Sequence, residues 1–335
     1  MRGLLRPAAG LTCLIALATA GCSAEAGSAP EATRTPTPQA SSAGTSYVPS
    51  YAPYVSATEA SDNDTAGSPS VYNLAFVIAD GSDCTPSWNG TNAVGDSSVA
   101  SRISALKEDG AEVRVSFGGA SGKELAETCS SAAKLAAAYG SALDAAGSSL
   151  ADFDIEGDAL TDSDSVDLRS QAIALLQKER SDLAVSFTLP VMPSGLDADS
   201  VALLESANDN SVQVSTVNIM TMNYGESYGG DMGDYAITSA TAAQAQLKEV
   251  FGTSDSTAWR ALALTSMIGT NDVDGETFTL SDAAQVRAFA VSKEVGWVSM
   301  WAAFRDQQCQ GDDDALTNCS GVSQAAGAFG EALSG

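Results

Sequence analysis

Residues 151–157 read A-D-F-D-I-E-G. Asp152, Asp154 and Glu156 recur at every second position, with Phe153 and Ile155 between them. In a β-strand successive side chains point to opposite faces, so the three acids share one face and the two apolar residues share the other. Positions two apart lie about 7 Å apart along the chain. Like charges at that spacing repel, and repulsion raises the pKa of one member of the row. A chain that keeps such a row has a use for a carboxyl that stays protonated.

Working outward, the chain alternates short β-rich runs with Ala-rich stretches of helical spacing. The runs fall at residues 50–56, 72–79, 113–119, 151–157, 183–190, 217–224, 261–269 and 296–301. Strands that alternate with helices predict a parallel sheet, and eight units predict a closed (β/α)8 TIM barrel of the α/β class, one catalytic domain over residues 46–335. The first unit is the weakest, because the polar connection after residue 56 leaves its helix stunted or missing. A doubly wound open sheet is the competing fold, but no glycine-rich phosphate fingerprint follows the first strand. Several runs end in polar or small residues where a barrel places its functional face: Ser116 to Gly119, Glu156-Gly157, Asn223-Tyr224-Gly225 and Trp301.

Composition narrows the chemistry. The 335 residues carry 42 acidic and 16 basic side chains, a formal net charge of −26, and no histidine. The charge excludes nucleic acid and anionic membrane surfaces as partners, since phosphates would be repelled. The missing histidine excludes Ser-His-Asp and Cys-His catalysis and the usual histidine-bearing zinc sites. Carboxylates, hydroxyls and tyrosines remain.

Arg2 and Arg6 precede an apolar run too short to span a bilayer, which ends in A-T-A-G-C at residues 18–22. That ending resembles the lipobox of bacterial lipoproteins, with Thr19 where those proteins usually have Leu. The resemblance implies a signal peptide over residues 1–22 and lipidation of Cys22; an ordinary cleaved secretory signal is the other reading. Residues 23–45, rich in Ser, Ala, Thr and Pro, read as a disordered linker. The expected location is extracellular, on the outer face of the cytoplasmic membrane. Cys84, Cys129, Cys309 and Cys319 are then an even set in an exported protein, which implies two disulfides. Three pairings are open; Cys84–Cys129 and Cys309–Cys319 are favoured, the latter closing a short polar loop.

Four motifs in this order resemble glycoside hydrolase family 18, the chitinases and their relatives. The strand-four pattern D-x-x-D-x-D-x-E is met by S-L-A-D-F-D-I-E at residues 149–156, and S-x-G-G by S-F-G-G at residues 116–119. The M-x-Y motif is met by Met222-Asn223-Tyr224, and the terminal tryptophan by Trp301. The resemblance implies retaining hydrolysis of β-1,4 links between N-acetylglucosamine units, with no metal or other cofactor. Glu156 would be the general acid. Asp154 would raise the pKa of Glu156 and hold the substrate acetamido group that acts as nucleophile. Tyr224 would hydrogen-bond the acetamido oxygen and Trp301 would floor the sugar. Asp152 ends the acid row, sharing a proton or hydrogen bonds with Asp154, or stands as a structural acid bonded to backbone amides. Ser116, Met222, Asn223 and Trp301 complete the substrate-binding set, with Ser116 also donating to the acid row and Gly118 and Gly119 leaving room for it. Ser149 and Gly225 depart from the family pattern.

Of the remaining tryptophans, Trp88 in C-T-P-S-W-N-G is the candidate sugar platform, while Trp259 and Trp297 read as packing. Asp158, Asp162, Asp164 and Asp167 read as a solvated helix start. Residues 270–295 leave room for one helix and no inserted domain, which predicts an open groove and endo-type cutting. The expected partner is chitin or N-acetylglucosamine oligosaccharides, met by a monomer. The alternatives are an endo-β-N-acetylglucosaminidase on N-glycans and a non-hydrolytic chitooligosaccharide-binding protein; retention of Glu156 argues against the latter.

Overall fold

The computed structural model describes residues 47–335, so the signal segment, Cys22 and the linker lie outside the described residues. The barrel strands are β1 (Ser50–Tyr51 and Tyr54–Ser56), β2 (Val71–Ala79), β3 (Glu112–Gly118) and β4 (Leu150–Asp154). They continue as β5 (Ala184–Pro190), β6 (Val214–Met220), β7 (Leu262–Met267) and β8 (Trp297–Trp301). Each pairs in parallel with the next from β2 to β8. Strand β1 closes the ring. Its first half pairs with β8 (Ser50↔Trp297) and its second half with β2 (Tyr54↔Asn73). Pro53, at the break, has no N–H to donate, and its carbonyl accepts from the Asn73 amide at 2.9 Å. One interrupted strand thus serves two neighbours, and the eight strands form a TIM barrel.

The alternation read in residues 151–157 is what positions the site. Phe153 is fully buried on the outer face of β4, stacked with Phe117 of β3 at 5.3 Å between centroids and edge-on to Tyr139 at 5.0 Å. Tyr139 lies on the helix Ala132–Ala146, capped by Ser131 and ended by Gly147 in the left-handed conformation. Asp152 and Asp154 face inward. The helix between β4 and β5, Ser163–Glu179, sends Arg169 under the sheet to pair with buried Glu124 at 2.7 Å, and Tyr139 donates to the same carboxylate at 2.6 Å. Asp162 caps that helix by accepting from the Asp164 amide, and Asp158, Asp162, Asp164 and Asp167 are all exposed or nearly so, as expected of a solvated helix start.

After β1 the chain makes turns rather than a helix, held where Asp64 accepts from Arg102 at 2.6 Å. The missing helix is replaced from the other end of the sequence. The C-terminal helix Ala328–Ser334 packs against β1, β8 and the helix Leu280–Lys293. Asp306 fixes its start by accepting from the Phe329 and Gly330 amides at 3.0 and 2.8 Å. Between β7 and β8 lie only a hairpin (Gly269–Thr270 with Thr277–Phe278) and that one helix, as the length of the segment requires.

Both expected disulfides are present, Cys84–Cys129 and Cys309–Cys319, with Cα atoms 4.6 and 5.1 Å apart. They close loops of 45 and 10 residues. Chain entropy assigns about 4 kcal/mol to the longer loop and about 3 to the shorter. Urea unfolding of the Cys84→Ser/Cys129→Ser and Cys309→Ser/Cys319→Ser pairs is expected to show that order. The reverse order would mean that the short bridge acts on the native state instead.

Candidate active site

The inward side chains at the C-terminal ends of the strands line a cavity of about 440 Å³. Its acids are Asp154 and Glu156 from β4 and the turn after it, Asp197 from the β5–helix connection, and Asp272 from the hairpin after β7. Among the described residues, no lysine or arginine lines it.

Asp152 lies one layer below, fully buried. Its Oδ2 accepts from Tyr54 at 2.9 Å and Ser116 at 2.6 Å, and its Oδ1 from Ser186 at 2.7 Å and Thr188 at 2.8 Å. Four hydroxyls from three strands therefore hold one carboxylate, which is how a barrel interior satisfies a buried charge. The donors are hydroxyls rather than the backbone amides expected for a structural acid. Ser116 corrects a substrate-binding expectation: it is fully buried beside Asp152 in the strand register, lies outside the cavity, and acts on the acid row alone.

Asp154 stands above this cage at the cavity floor. Its Oδ1 is buried with no hydrogen-bond partner among the described residues. Burial, then the charges of Glu156 and Asp152, push its pKa well above the usual carboxylate range. Glu156 is half-buried at the rim, and its pKa is raised first by burial and then by Asp272. Asp154 and Glu156 repel one another as neighbouring carboxyls, and Asp272 on the hairpin adds a further like charge at Glu156.

Gly118 and Gly119 make room for the row. A Cβ on Gly118 would collide with the Asp154 carbonyl oxygen, and one on Gly119 would lie 2.8 Å from the Phe76 ring. Both have positive φ, 97° and 89°. Trp301 lines the cavity from the end of β8, stacked on Phe76 at 5.6 Å and edge-on to Tyr54 at 5.9 Å. Met222 lines it too.

Tyr224 does not. It is 4 % exposed, packs against Tyr228 and Tyr235 at 5.9 Å each, and its hydroxyl accepts from Ser239 on the helix Met232–Phe251 at 3.5 Å. The cause is local. A strand running to residue 224 would place 220, 222 and 224 on one face, but β6 stops at Met220 and Asn223 adopts φ 55°. The turn swings Tyr224 under the helix and leaves Met220 and Met222 facing the cavity. Asn223 sits on the rim and clamps Asp272, donating from Nδ2 to its carboxylate at 2.8 Å and accepting its backbone N–H at 3.0 Å. Buried Glu276 accepts from the Gly225 amide at 2.8 Å, fastening the same hairpin to the same turn.

Trp88 is a further correction. It is fully buried in a short strand paired antiparallel to β2, with Nε1 donating to the Val94 carbonyl, so it offers no platform. Trp259 and Trp297 pack as expected, against Phe289 and under Arg114. Sequence reading missed Tyr54, Phe76, Asp197 and Asp272. Tyr54 sat in an expected strand at an inward position, and Asp272 carried no periodic signal at all.

No family model matches the chain. It is 34% identical over 275 residues to a probable bifunctional chitinase/lysozyme of Escherichia coli (strain K12), covering 76% of this chain and 31% of that protein. It is 34% identical over 274 residues to Endochitinase 11 of Metarhizium anisopliae, covering 76% of this chain and 52% of that protein. The chain thus spans about half or less of the curated relatives it matches. Among solved structures, the catalytic domain of the hyperthermophilic chitinase of Pyrococcus furiosus superposes with a TM-score of 0.74 at 30% identity, over 85% of this chain and 94% of that one. A GH18 chitinase of Pseudoalteromonas aurantia shares the fold at a TM-score of 0.55 and 15% identity, over 76% of this chain and 93% of that one.

Proposed function

The chain belongs to glycoside hydrolase family 18, and from that premise we propose that it is a chitinase, cutting β-1,4 links between N-acetylglucosamine units with retention. The observation that carries this reading is the pairing of Glu156 with Asp154 over the cavity floor, the one a rim carboxyl with a raised pKa, the other a buried carboxyl with an oxygen awaiting a donor. Glu156 delivers its proton to the glycosidic oxygen as the bond to the anomeric carbon breaks. The substrate's own acetamido oxygen attacks that carbon, giving a cyclic oxazolinium ion, and Asp154 accepts the acetamido N–H and balances the positive charge. Glu156, now ionised, takes a proton from water as it opens the ring on the same face, which returns the β-anomer. Trp301 supplies the apolar floor under the sugar, and Asp152, held by its four hydroxyls, supports the layer beneath Asp154.

The open groove over a hairpin supports endo-type cutting. Hydrolysis of chitin hexamer followed by proton NMR is expected to give β-anomeric products from internal bonds. Release of intact glycans from a glycoprotein, with the hexamer untouched, would replace this reading with an endo-β-N-acetylglucosaminidase. The two disulfides support an oxidising, extracytoplasmic location. With the N-terminal pattern of the sequence, they support a lipid-anchored protein.

Asp272 gives a pH test. Its charge helps keep the proton on Glu156. The groups around that proton are Asp154 from β4, Asp272 from the hairpin and Asp197 from across the cavity. Activity in free enzyme requires protonated Glu156, so the basic limb of the kcat/KM profile follows its pKa. Asp272→Asn removes a like charge, and the basic limb is expected to move to lower pH. An unmoved or raised limb would show that Asp272 does not reach Glu156 electrostatically.

A further inference from the structure

Four of the seven methionines of the chain, Met192, Met220, Met222 and Met267, line this one cavity. Met220 and Met267 end β6 and β7, and Met267 is in register with Trp301. Met222 follows on the turn, and Met192 lies just beyond β5. The hydroxyls that share the cavity are committed elsewhere: Tyr54 and Thr188 to Asp152, and Thr265 to Asn218 at 3.0 Å. Tyr224, expected to fix the acyl oxygen, faces the opposite way. Unbranched thioether chains thus make up a large part of the lining that Asp154 and Trp301 share, and the hydroxyls beside them are not free to define the length of what lies there.

Resting on the chitinase reading, we propose that this methionine wall is a pliable N-acyl pocket, which accepts sugars whose N-acyl group is longer than acetyl. A rigid apolar pocket separates substrates that differ by one methylene by about 10–200-fold. Methionine has three rotatable bonds beyond Cα and no branch, so it yields to added volume by changing rotamer instead of forcing backbone shifts. The nucleophile is unaffected, because the attacking atom is the same carbonyl oxygen in every N-acyl sugar.

The test compares 4-nitrophenyl β-glycosides of N,N′-diacetyl-, dipropionyl- and dibutyrylchitobiose. The kcat/KM for propionyl is expected to fall within about tenfold of acetyl in the natural protein, below the discrimination of a rigid pocket. Met222→Ile and Met267→Ile place β-branched, stiff side chains on the wall. Each is expected to raise the acetyl-to-propionyl ratio by about tenfold, approaching rigid-pocket behaviour. Met300→Ile, a buried methionine outside the cavity, is expected to leave the ratio alone. Because the readout is a ratio within each protein, a general loss of activity does not enter it. A natural protein that turns over acetyl and rejects propionyl by about 100-fold or more overturns the inference alone, as does an unchanged ratio in a folded cavity variant. No turnover of the acetyl substrate overturns the chitinase reading first.

Discussion

Glu156→Gln is expected to lower kcat on chitin oligomers by about 10³–10⁴-fold, the upper range for loss of a positioned general acid. Glutamine keeps the volume and much of the polarity of the side chain, so oligosaccharide binding, measured by calorimetric titration, should change by less than about threefold, a shift of well under one kcal/mol. The loss should depend on the leaving group. A sugar hydroxyl must be protonated as it departs, whereas 4-nitrophenolate leaves unaided, so the first bond cleavage on the aryl glycoside should suffer at least about tenfold less. Single-turnover release of nitrophenol isolates that step from the later water attack. Equal losses on both substrates would mean that residue 156 does not serve as the acid. Retained turnover on oligomers would remove the proposed mechanism altogether.

The acid row was legible because it obeys strand alternation. Phe153 and Ile155 required one buried face, and that fixed Asp152, Asp154 and Glu156 on the other. Trp301 was legible for a similar reason, as the last residue of a strand ending at the barrel mouth. Tyr224 was not, because one left-handed residue, Asn223, ends the alternation two positions early and turns the ring away. A motif of three letters carries no φ angle. Trp88 looked solvent-facing amid polar neighbours, yet its short strand pairs onto β2 and covers it. Tyr54 and Asp272 belong to the cavity only through long-range closure. Tyr54 reaches Asp152 across 98 residues of sequence, after the interrupted first strand joins β8 to β2. Asp272 is held by Asn223 across 49. Local periodicity announces neither contact, although it correctly supplied the strands that bring them about.

Asp154→Asn separates the demands of catalysis from those of folding. Asparagine is nearly isosteric and keeps a carbonyl to accept the acetamido N–H, so it preserves most of the geometry and removes the charge. The oxazolinium ion then forms without its counter-charge in a poorly solvated cavity, and kcat is expected to fall by about 10²–10³-fold with a smaller change in KM. Stability should move the other way. The folded-state pKa of Asp154 is raised above its unfolded value by burial and by two neighbouring acids. Such a group supports the fold while protonated, below the unfolded pKa, and that support is lost as pH rises through the folded pKa. The amide stays neutral at every pH. The variant should therefore melt at a higher temperature than the natural protein near neutral pH, and the difference should narrow on acidification as Asp154 regains its proton. Calorimetric scans across the acid range read this directly. A variant that melts lower at neutral pH would mean that the carboxylate has a stabilising partner at its unfilled Oδ1. That would remove the reason for expecting a substrate amide to occupy the same place.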